Sequence, residues 1–573
     1  MNRMKKILHI LGCWTLFLGL AAPAAYAQQT DNEKTDSNHN FEVVKNLDIF
    51  NSIYRDLDLY YVDTLDAQKN ISNALAYMLE MLDPYTEYFA EQDTKDLKQM
   101  TTGKYAGIGS VVAYREKEKR CVIMKPYDGM PAAEAGLLPG DVIYAIDGKD
   151  IPVCEAEEVE EKNRYSESVS AKLRGEPGTT FELLIRRPGH ENRTMKFKIT
   201  RRSIVMPSVT LATVVSDSIG YIRLSQFIEG TSSEIRRGLV TLKQQGARSL
   251  ILDLRGNPGG LLDEAVKTVN LFIPRNREVV STRGKVRELN QSYKTVTDPQ
   301  DPDIPLIVLV DEQSASAAEI TSGALQDYDR ALVIGRRTYG KGLVQQSREM
   351  PYKTALKLTT GRYYIPSGRC VQAYKFKNGR PEHLPDSLAK EFRTTAGRIV
   401  HDGGGITPDV EVKQDSLPNL LAYLQASDQL FDYCVHYRLK HKKIADPEEF
   451  TLTAEEYEDF CRFVKENEFT YDRQSVRVLG MLRDFARIEG YDQVAAAELD
   501  ALEEKLKHNE DSDFKRWETE VRKVVEGTLL ENYYYDAGRL KYGLKTDKVV
   551  REAIRLMHDN ATRHKLLTGE PDA

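Results

Sequence analysis

Residues 305–319 constrain the fold of this chain more than any other stretch. P-L-I-V-L-V-D at Pro305–Asp311 has the unbroken apolar character of a buried strand. The Ala-rich A-A-E-I-T-S-G-A-L-Q that follows Ser316 reads as helix, so S-A-S-A-A-E at Ser314–Glu319 is expected to form a strand-to-helix turn. A hydroxyl there sits near a helix N-terminus, whose dipole favours developing negative charge. Ala331–Gly335 reads as a further strand, followed by G-K-G around Lys341 and by Gln345 four residues later. A serine hydroxyl is a weak nucleophile and needs an adjacent base. Lysine fills that role only when burial disfavours its charged form. Together the residues look like a serine–lysine hydrolytic site: Ser316 the nucleophile, Lys341 the base, Gln345 holding the lysine. If the chain stays extended after Gly340, Lys341 and Gln345 share a face. Composition alone does not choose between Ser314 and Ser316.

Each piece has a plainer reading. Ser and Ala runs often serve tight helix packing, and G-K-G is commonly a loop with a solvated lysine. Gly335–Lys341 also fits the first seven positions of G-x-x-x-x-G-K-[ST], but the eighth is Gly342, so the hydroxyl that would hold Mg²⁺ is missing. That argues against a nucleotide-binding loop. A second strand, Ser249–Arg255, runs into N-P-G-G and the helix-like L-L-D-E-A-V-K-T-V. Its glycines allow close backbone approach, either for a tight turn alone or for N–H donors to an oxyanion.

With these residues placed, the chain closely resembles the C-terminal processing (tail-specific) peptidases, the S41 family of Ser/Lys endopeptidases that carry a PDZ domain. The resemblance covers roughly residues 45–415, in family order. It includes D-P-Y-T-E-Y-F at Asp83–Phe89, Y-A-G-I-G at Tyr105–Gly109, A-G-L-L-P-G-D-V-I at Ala135–Ile143 and D-L-R-G-N-P-G-G at Asp253–Gly260. L-T-T-G-R-Y-Y-I-P-S-G-R at Leu358–Arg369 and G-G-G-I-T-P-D-V at Gly403–Val410 complete it. The resemblance assigns Ser316, the second serine of S-A-S-A, as nucleophile, with Lys341 and Gln345 at the family's spacing. It implies that the backbone amides of Gly260 (or Gly259) and Ala317 form the oxyanion hole. It also implies a multidomain α/β fold: a crotonase-like spiral α/β peptidase core with an inserted, mostly β PDZ domain. Ala318 departs from the commoner serine, outside the proposed dyad.

The chain has 573 residues, too many for one core, and is 41% hydrophobic and 29% charged, as an ordinary globular protein is. Its net charge of −7 becomes about −10 without Arg3, Lys5 and Lys6, which argues against nucleic acid as a partner. Residues 1–27 read as a signal peptide: the basic M-N-R-M-K-K, an apolar run, then cleavage after Ala25-Tyr26-Ala27. The expected location is the periplasm, the alternative being an uncleaved membrane anchor. Cys13, early in the apolar run, is poorly placed for lipidation. Outside that segment stand Cys121, Cys154, Cys370, Cys434 and Cys461, an odd set without a C-x-x-C pair. His436 and His441 are five apart, off a common helical face, and no H-E-x-x-H occurs. No metal and no cofactor are expected.

The remaining organisation follows from changes of pattern. Gln28–Asn40 is polar and expected to be unordered, and Phe41–Met100 has helical periodicity, so 28–100 forms an N-terminal segment. Residues 101–195 change to strands and glycine turns, the expected PDZ domain. There Gly107, Ile108 and Gly109 would capture a chain-end carboxylate, and a substrate tail would add as a strand beside Ile108–Ala113. The acidic run Glu155–Lys162 reads as a solvated helix face. Residues 196–415 are the expected peptidase core. Residues 416–573 are a charged, Tyr-rich helical extension outside the resemblance, with a dimerisation or adaptor surface as a guess and Tyr533–Tyr535 read as packing.

The partners expected are protein substrates met through their C-termini, with homo-oligomerisation and peripheral membrane association left open. Two rival readings are a PDZ adaptor on a silent peptidase scaffold and a crotonase-like acyl-CoA enzyme. The first is opposed by the presence of Ser316, Lys341 and Gln345, and the second rests on fold relationship alone.

Overall fold

In a computed structural model of the chain, the described residues are 22–91, 93–94, 103–190, 192–413, 417–506 and 510–569. They form two compact units, Met1–Glu80 and Met81–Ala573. The apolar run of the expected signal peptide lies outside the described residues. Among the described residues no helix is long and apolar enough to cross a membrane.

The first unit consists of the helices Ala22–Tyr60 and Ala67–Glu80. The longer helix runs through Gln28–Asn40, where no regular structure was expected. The polarity of that stretch does not oppose a helix: after Pro23, which the first turn tolerates, no Gly or Pro interrupts the segment up to Tyr60.

In the second unit, strands Ser110–Arg115, Arg120–Pro126, Val142–Ile146, Thr180–Arg186 and Thr194–Thr200 pair in that order into an antiparallel sheet. The short Lys149–Asp150 pairs beside Val142–Ile146. Helix Val159–Leu173 packs through Val169 and Leu173 into a core with Ile108, Ile123, Ile143 and Phe181. Only the last part of the acidic run is helical. Glu158 sits at the N-cap position, and Glu160 and Glu161 in the first turn complement the helix dipole. The segments entering and leaving this domain, Lys104–Gly107 and Arg202–Val205, pair antiparallel as a ribbon.

The central sheet has the order Val209–Ser216, Ile219–Leu224, Ser249–Asp253, Leu306–Val310, Leu332–Gly335, Val410–Glu411; the first pair is antiparallel and the rest are parallel. Its three middle strands are buried throughout, which their apolar runs demand, because a parallel strand must be covered on both faces. Helices Thr231–Gln244, Leu262–Val269 and Ala317–Asp327 cover one face. The other is covered by Val550, Ala553, Leu556 and Met557 of helix Lys548–His558. The last part of the C-terminal extension is thus built into the peptidase core, and the expected separation at residue 416 does not hold for this helix. A core ending at 415 would leave one sheet face bare.

An antiparallel sheet stands beside the central one, with Glu87–Phe89, Thr354–Tyr364, Glu278–Gly284 and Gln291–Lys294 in order, and Leu343–Met350 also on Thr354–Tyr364. The remaining C-terminal helices close around Leu424, Tyr433, Phe460, Val525 and Leu529. Tyr534 donates to Ile444 O at 2.9 Å and Tyr533 to His441 O, a packing role for both. These helices also grip the PDZ-like domain. Arg115, 3% exposed, bonds Asp428 at 2.6 Å and Asp432 at 2.5 Å, while Lys125 bonds Glu531 at 2.5 Å and Asp536 at 2.6 Å.

Candidate active site

The middle strands of the central sheet lead into the turns that carry the sequence-selected residues. Ser316 lies at the end of the turn after Leu306–Val310, as the N-cap of helix Ala317–Asp327. Its φ of 54° and ψ of −112° are strained for a residue with a Cβ, and such strain persists only where surrounding structure holds it. Ser316 is half-buried. Ser314 differs: it is fully buried, its hydroxyl donates to Leu254 O at 2.8 Å, and it accepts the Asp311 N–H at 3.0 Å. That hydroxyl closes the turn and is shielded from any substrate.

The carboxylate of Glu319, fully buried, organises the site. Its Oε2 accepts the N–H groups of Ser316 (2.8 Å) and Lys341 (2.9 Å). Its Oε1 accepts the Gly340 N–H (2.7 Å) and the Thr338 hydroxyl (2.6 Å). Thr338 Oγ1 in turn accepts the Ile406 N–H at 2.6 Å, tying in the G-G-G-I-T-P-D-V segment. Burial pushes the Glu319 carboxyl up, and these hydrogen bonds pull the other way. The segment that mimics a phosphate-binding loop therefore does wrap an anion, but the anion is Glu319. Sequence reasoning passed over this residue, although Ser316-x-x-Glu319 carries the spacing of a capping box.

Lys341 points its ammonium at the Tyr85 ring, with Nζ 4.2 Å from the centroid. Burial, reinforced by the nearby Lys357, lowers its pKa to about 8 against the pull of Glu87, Glu319 and Asp83. Ser316 Oγ and Lys341 Nζ are not hydrogen-bonded in this state. Tyr85 is held by Tyr339, hydroxyl to hydroxyl at 3.3 Å, and edge-on by Phe376. It belongs to a turn in which Asp83 accepts the N–H groups of Tyr85 and Thr86, both at 2.9 Å.

Gln345 does not reach the lysine. Its Nε2 donates to Thr359 Oγ1 at 3.2 Å, and Thr359 donates to Asp83 Oδ1 at 3.2 Å. The expected shared face fails because strand Leu343–Met350 begins after Lys341 and is bulged between Val344 and Gln345, which resets the alternation. Gln345 instead faces its cross-strand partner Thr359.

Of the two glycines expected at the oxyanion hole, Gly259 has its N–H occupied by Asn257 Oδ1 at 2.8 Å. Its role is close packing: a Cβ there would stand 2.8 Å from Ser316 Cβ and 2.9 Å from Ala317 N. The N–H groups of Gly260 and Ala317 meet no acceptor among the described residues. A Cβ on Gly260, at φ 138°, would lie 2.0 Å from Phe227 O, so no other residue fits.

In the PDZ-like domain, Gly107 closes the entry ribbon opposite Arg202, and Ile108 is buried in the core. Gly109 has φ 68°, and a Cβ there would stand 2.4 Å from Met130 Cβ. The carbonyls of Ile108 and Gly109 accept Ala132 and Tyr127 N–H groups, while their own N–H groups meet no acceptor among the described residues. A groove of about 280 Å³ runs from there between strand Ser110–Arg115 and helix Val159–Leu173. That strand has an unpaired outer edge until Tyr114, whose N–H is capped by Ser166 Oγ at 2.9 Å. Among the described residues no three His, Cys, Asp or Glu side chains are grouped to hold a metal, and the five cysteines there are free thiols.

Residues 218–379 match Peptidase family S41, and residues 122–187 match a PDZ domain. A "Carboxy-terminal-processing protease" of Bartonella bacilliformis is 36% identical over 344 residues, 59% of this chain and 75% of that protein. The chain belongs to peptidase family S41. A "Probable CtpA-like serine protease" of Staphylococcus haemolyticus is 35% identical to this S41 chain over 321 residues, 56% of it and 61% of the relative. Among solved structures, a photosystem II D1 C-terminal processing protease is 27% identical, with a TM-score of 0.34, over 64% of this chain and 87% of the other. This is a C-terminal processing serine protease with a PDZ domain. Its helical extension, in which the sequence reading found no resemblance, matches at residues 420–557 a domain described as "Probable PDZ-protease, C-terminal helical domain".

Proposed function

We propose that this S41 protease is an exported, periplasmic endopeptidase that uses a Ser316–Lys341 dyad and reads protein C-termini through its PDZ domain. Ser316 Oγ attacks the scissile carbonyl carbon as the neutral Lys341 amine takes the hydroxyl proton. The Gly260 and Ala317 N–H groups receive the oxyanion. The tetrahedral adduct collapses to an ester on Ser316 as Lys341 passes its proton to the leaving amine. Water, deprotonated by the same lysine, then hydrolyses the ester. The pose on Tyr85 is a resting one, and the base swings from the ring to the hydroxyl when substrate fills the site. A cation over a ring is stabilised by it, so leaving the ring favours the neutral amine.

The observation that carries this reading is the pairing of a half-buried serine at a strained turn with a desolvated lysine on one buried carboxylate. A scaffold without catalysis has no use for that strain. The test is digestion of unstructured proteins that differ only in their last few residues. Cleavage by the purified protein that depends on the tail and disappears with Ser316→Ala supports the reading. Tail binding without cleavage would mean an adaptor instead.

A further inference from the structure

We infer that Arg174 is a specificity-determining residue that meets the carboxylate of a free chain end; the inference rests on the tail-reading function proposed above. Arg174 is the first residue after helix Val159–Leu173, where the backbone turns extended (φ −73°, ψ 165°) while its N–H still bonds Ser170 O at 3.0 Å. The turn lays the side chain across the mouth of the groove. Its Cγ stands 3.7 Å from where a Cβ on Gly107 would be, directly beside the loop with the unoccupied N–H groups. Burial and Tyr127 push the Tyr105 phenol up, and Arg174 pulls against them, which places the guanidinium near the groove floor.

Charge separates this arginine from its neighbours. Arg115, Arg187 and Arg202 of the same domain each bond a carboxylate: Asp428 and Asp432, Asp141, and Glu134. Arg174 meets none among the described residues, and it is the one charged side chain among those that line the groove. The rest of the lining is apolar or neutral: Ile108, Val111 and Leu173 could receive an apolar last side chain. A strand laid along Ser110–Ala113 satisfies backbone groups whether or not it ends there. What a chain end adds is a full negative charge. Two backbone N–H groups offer it partial charges, whereas a guanidinium offers a cation and a fork matched to both oxygens. Arg174 therefore distinguishes an end from an internal segment or a capped tail.

The experiment compares kcat/KM on two unstructured substrates that are identical except for a free-acid or an amidated C-terminus, with the full-length enzyme and its Arg174→Gln and Arg174→Lys variants. The readout is the acid-to-amide ratio within each protein, so any loss of folded enzyme cancels. Wild type should prefer the acid. Arg174→Gln should lose about tenfold of that ratio, mainly through KM, because one charge-assisted contact corresponds to roughly that factor. Arg174→Lys should keep part of it. An Arg174→Gln ratio equal to that of wild type overturns the role of Arg174 and leaves tail reading standing. A wild type indifferent to amidation removes tail reading and this inference with it. Anisotropy of a labelled free-acid tail on the Ser316→Ala background provides a second reading that does not need turnover, with weaker binding expected for Arg174→Gln.

Discussion

The backbone N–H groups of Ser316 and Lys341 converge on a single oxygen of Glu319, at 2.8 and 2.9 Å. The turn of the proposed nucleophile and the loop of the proposed base are thereby fastened to one buried group. Their separation is set by a hydrogen-bond length rather than by loop packing.

Glu319→Gln should preserve volume yet present an amide donor to N–H groups that need an acceptor. Leaving buried donors unsatisfied costs about 1–3 kcal/mol each, so kcat should fall by roughly a hundredfold with KM little changed. Steady-state kinetics with a Thr338→Val comparison checks this. A Glu319→Gln enzyme with normal kcat would show that the shared oxygen is incidental.

Ser316→Ala and Lys341→Ala should each abolish hydrolysis, because a nucleophile and its base act as a unit. Lys341→Arg should be equally inactive, since a guanidinium does not deprotonate. Turnover of an unstructured substrate by each purified variant, with folding followed by circular dichroism, decides the point. Residual hydrolysis by Lys341→Arg would take the lysine out of the proton path.

The lowered pKa of Lys341, about 8, fixes the direction of the pH dependence. Only the neutral amine accepts the serine proton, and its fraction rises with pH. The logarithm of kcat/KM should therefore climb with unit slope through neutrality and level off above about pH 8. A limb near the ~10.4 of a solvated lysine would mean that the amine is not desolvated when it acts.

Gln345 should act through Thr359 and Asp83 on the turn that carries Tyr85, rather than on the lysine directly. Gln345→Ala and Thr359→Val should then lower kcat by similar, severalfold factors, and the double variant should be no worse than either single one. Fully multiplicative losses in that cycle would contradict the shared route.

Arg115→Ala should loosen the PDZ domain from the helical extension. Its partners Asp428 and Asp432 are partly solvated, so the cost is nearer 1–2 kcal/mol than that of a fully buried pair. Thermal unfolding and limited proteolysis between residues 190 and 210 should both report it, as a lower Tm and faster nicking. An unshifted Tm with unchanged nicking would assign the hold to other contacts.

Local signals carried most of the fold and part of the site. The turn at Ser316 is legible because a continuous apolar run must be a buried strand, and small residues behind it favour helix. The choice between Ser314 and Ser316 is not, because it depends on where Leu254 O lies. Lys341 and Gln345 were joined by counting residues, and a bulge at Val344/Gln345 cancels such a count without leaving a mark in the letters. Glu319 was visible as a capping residue, but its second pair of donors, Thr338 and Gly340, comes from a distant loop. Helix Lys548–His558 reads as amphipathic, yet nothing local says that its apolar stripe faces strands more than 200 residues earlier. Residues 28–40 show the converse: their composition offers nothing to bury, and that does not prevent helical backbone.

The cap that Ser166 places on the Tyr114 N–H has a consequence for information. A chain end laid along strand Ser110–Arg115 can register only a few residues before the edge is closed, at about 3.3 Å of strand for each. So short an address recurs by chance in a great many proteins. Discrimination would then lie less in the spelling of the tail than in its availability: a folded protein conceals its end or holds it too near its own surface to enter the groove, and an unravelling one presents it. Read this way, the groove measures the state of a protein rather than its name.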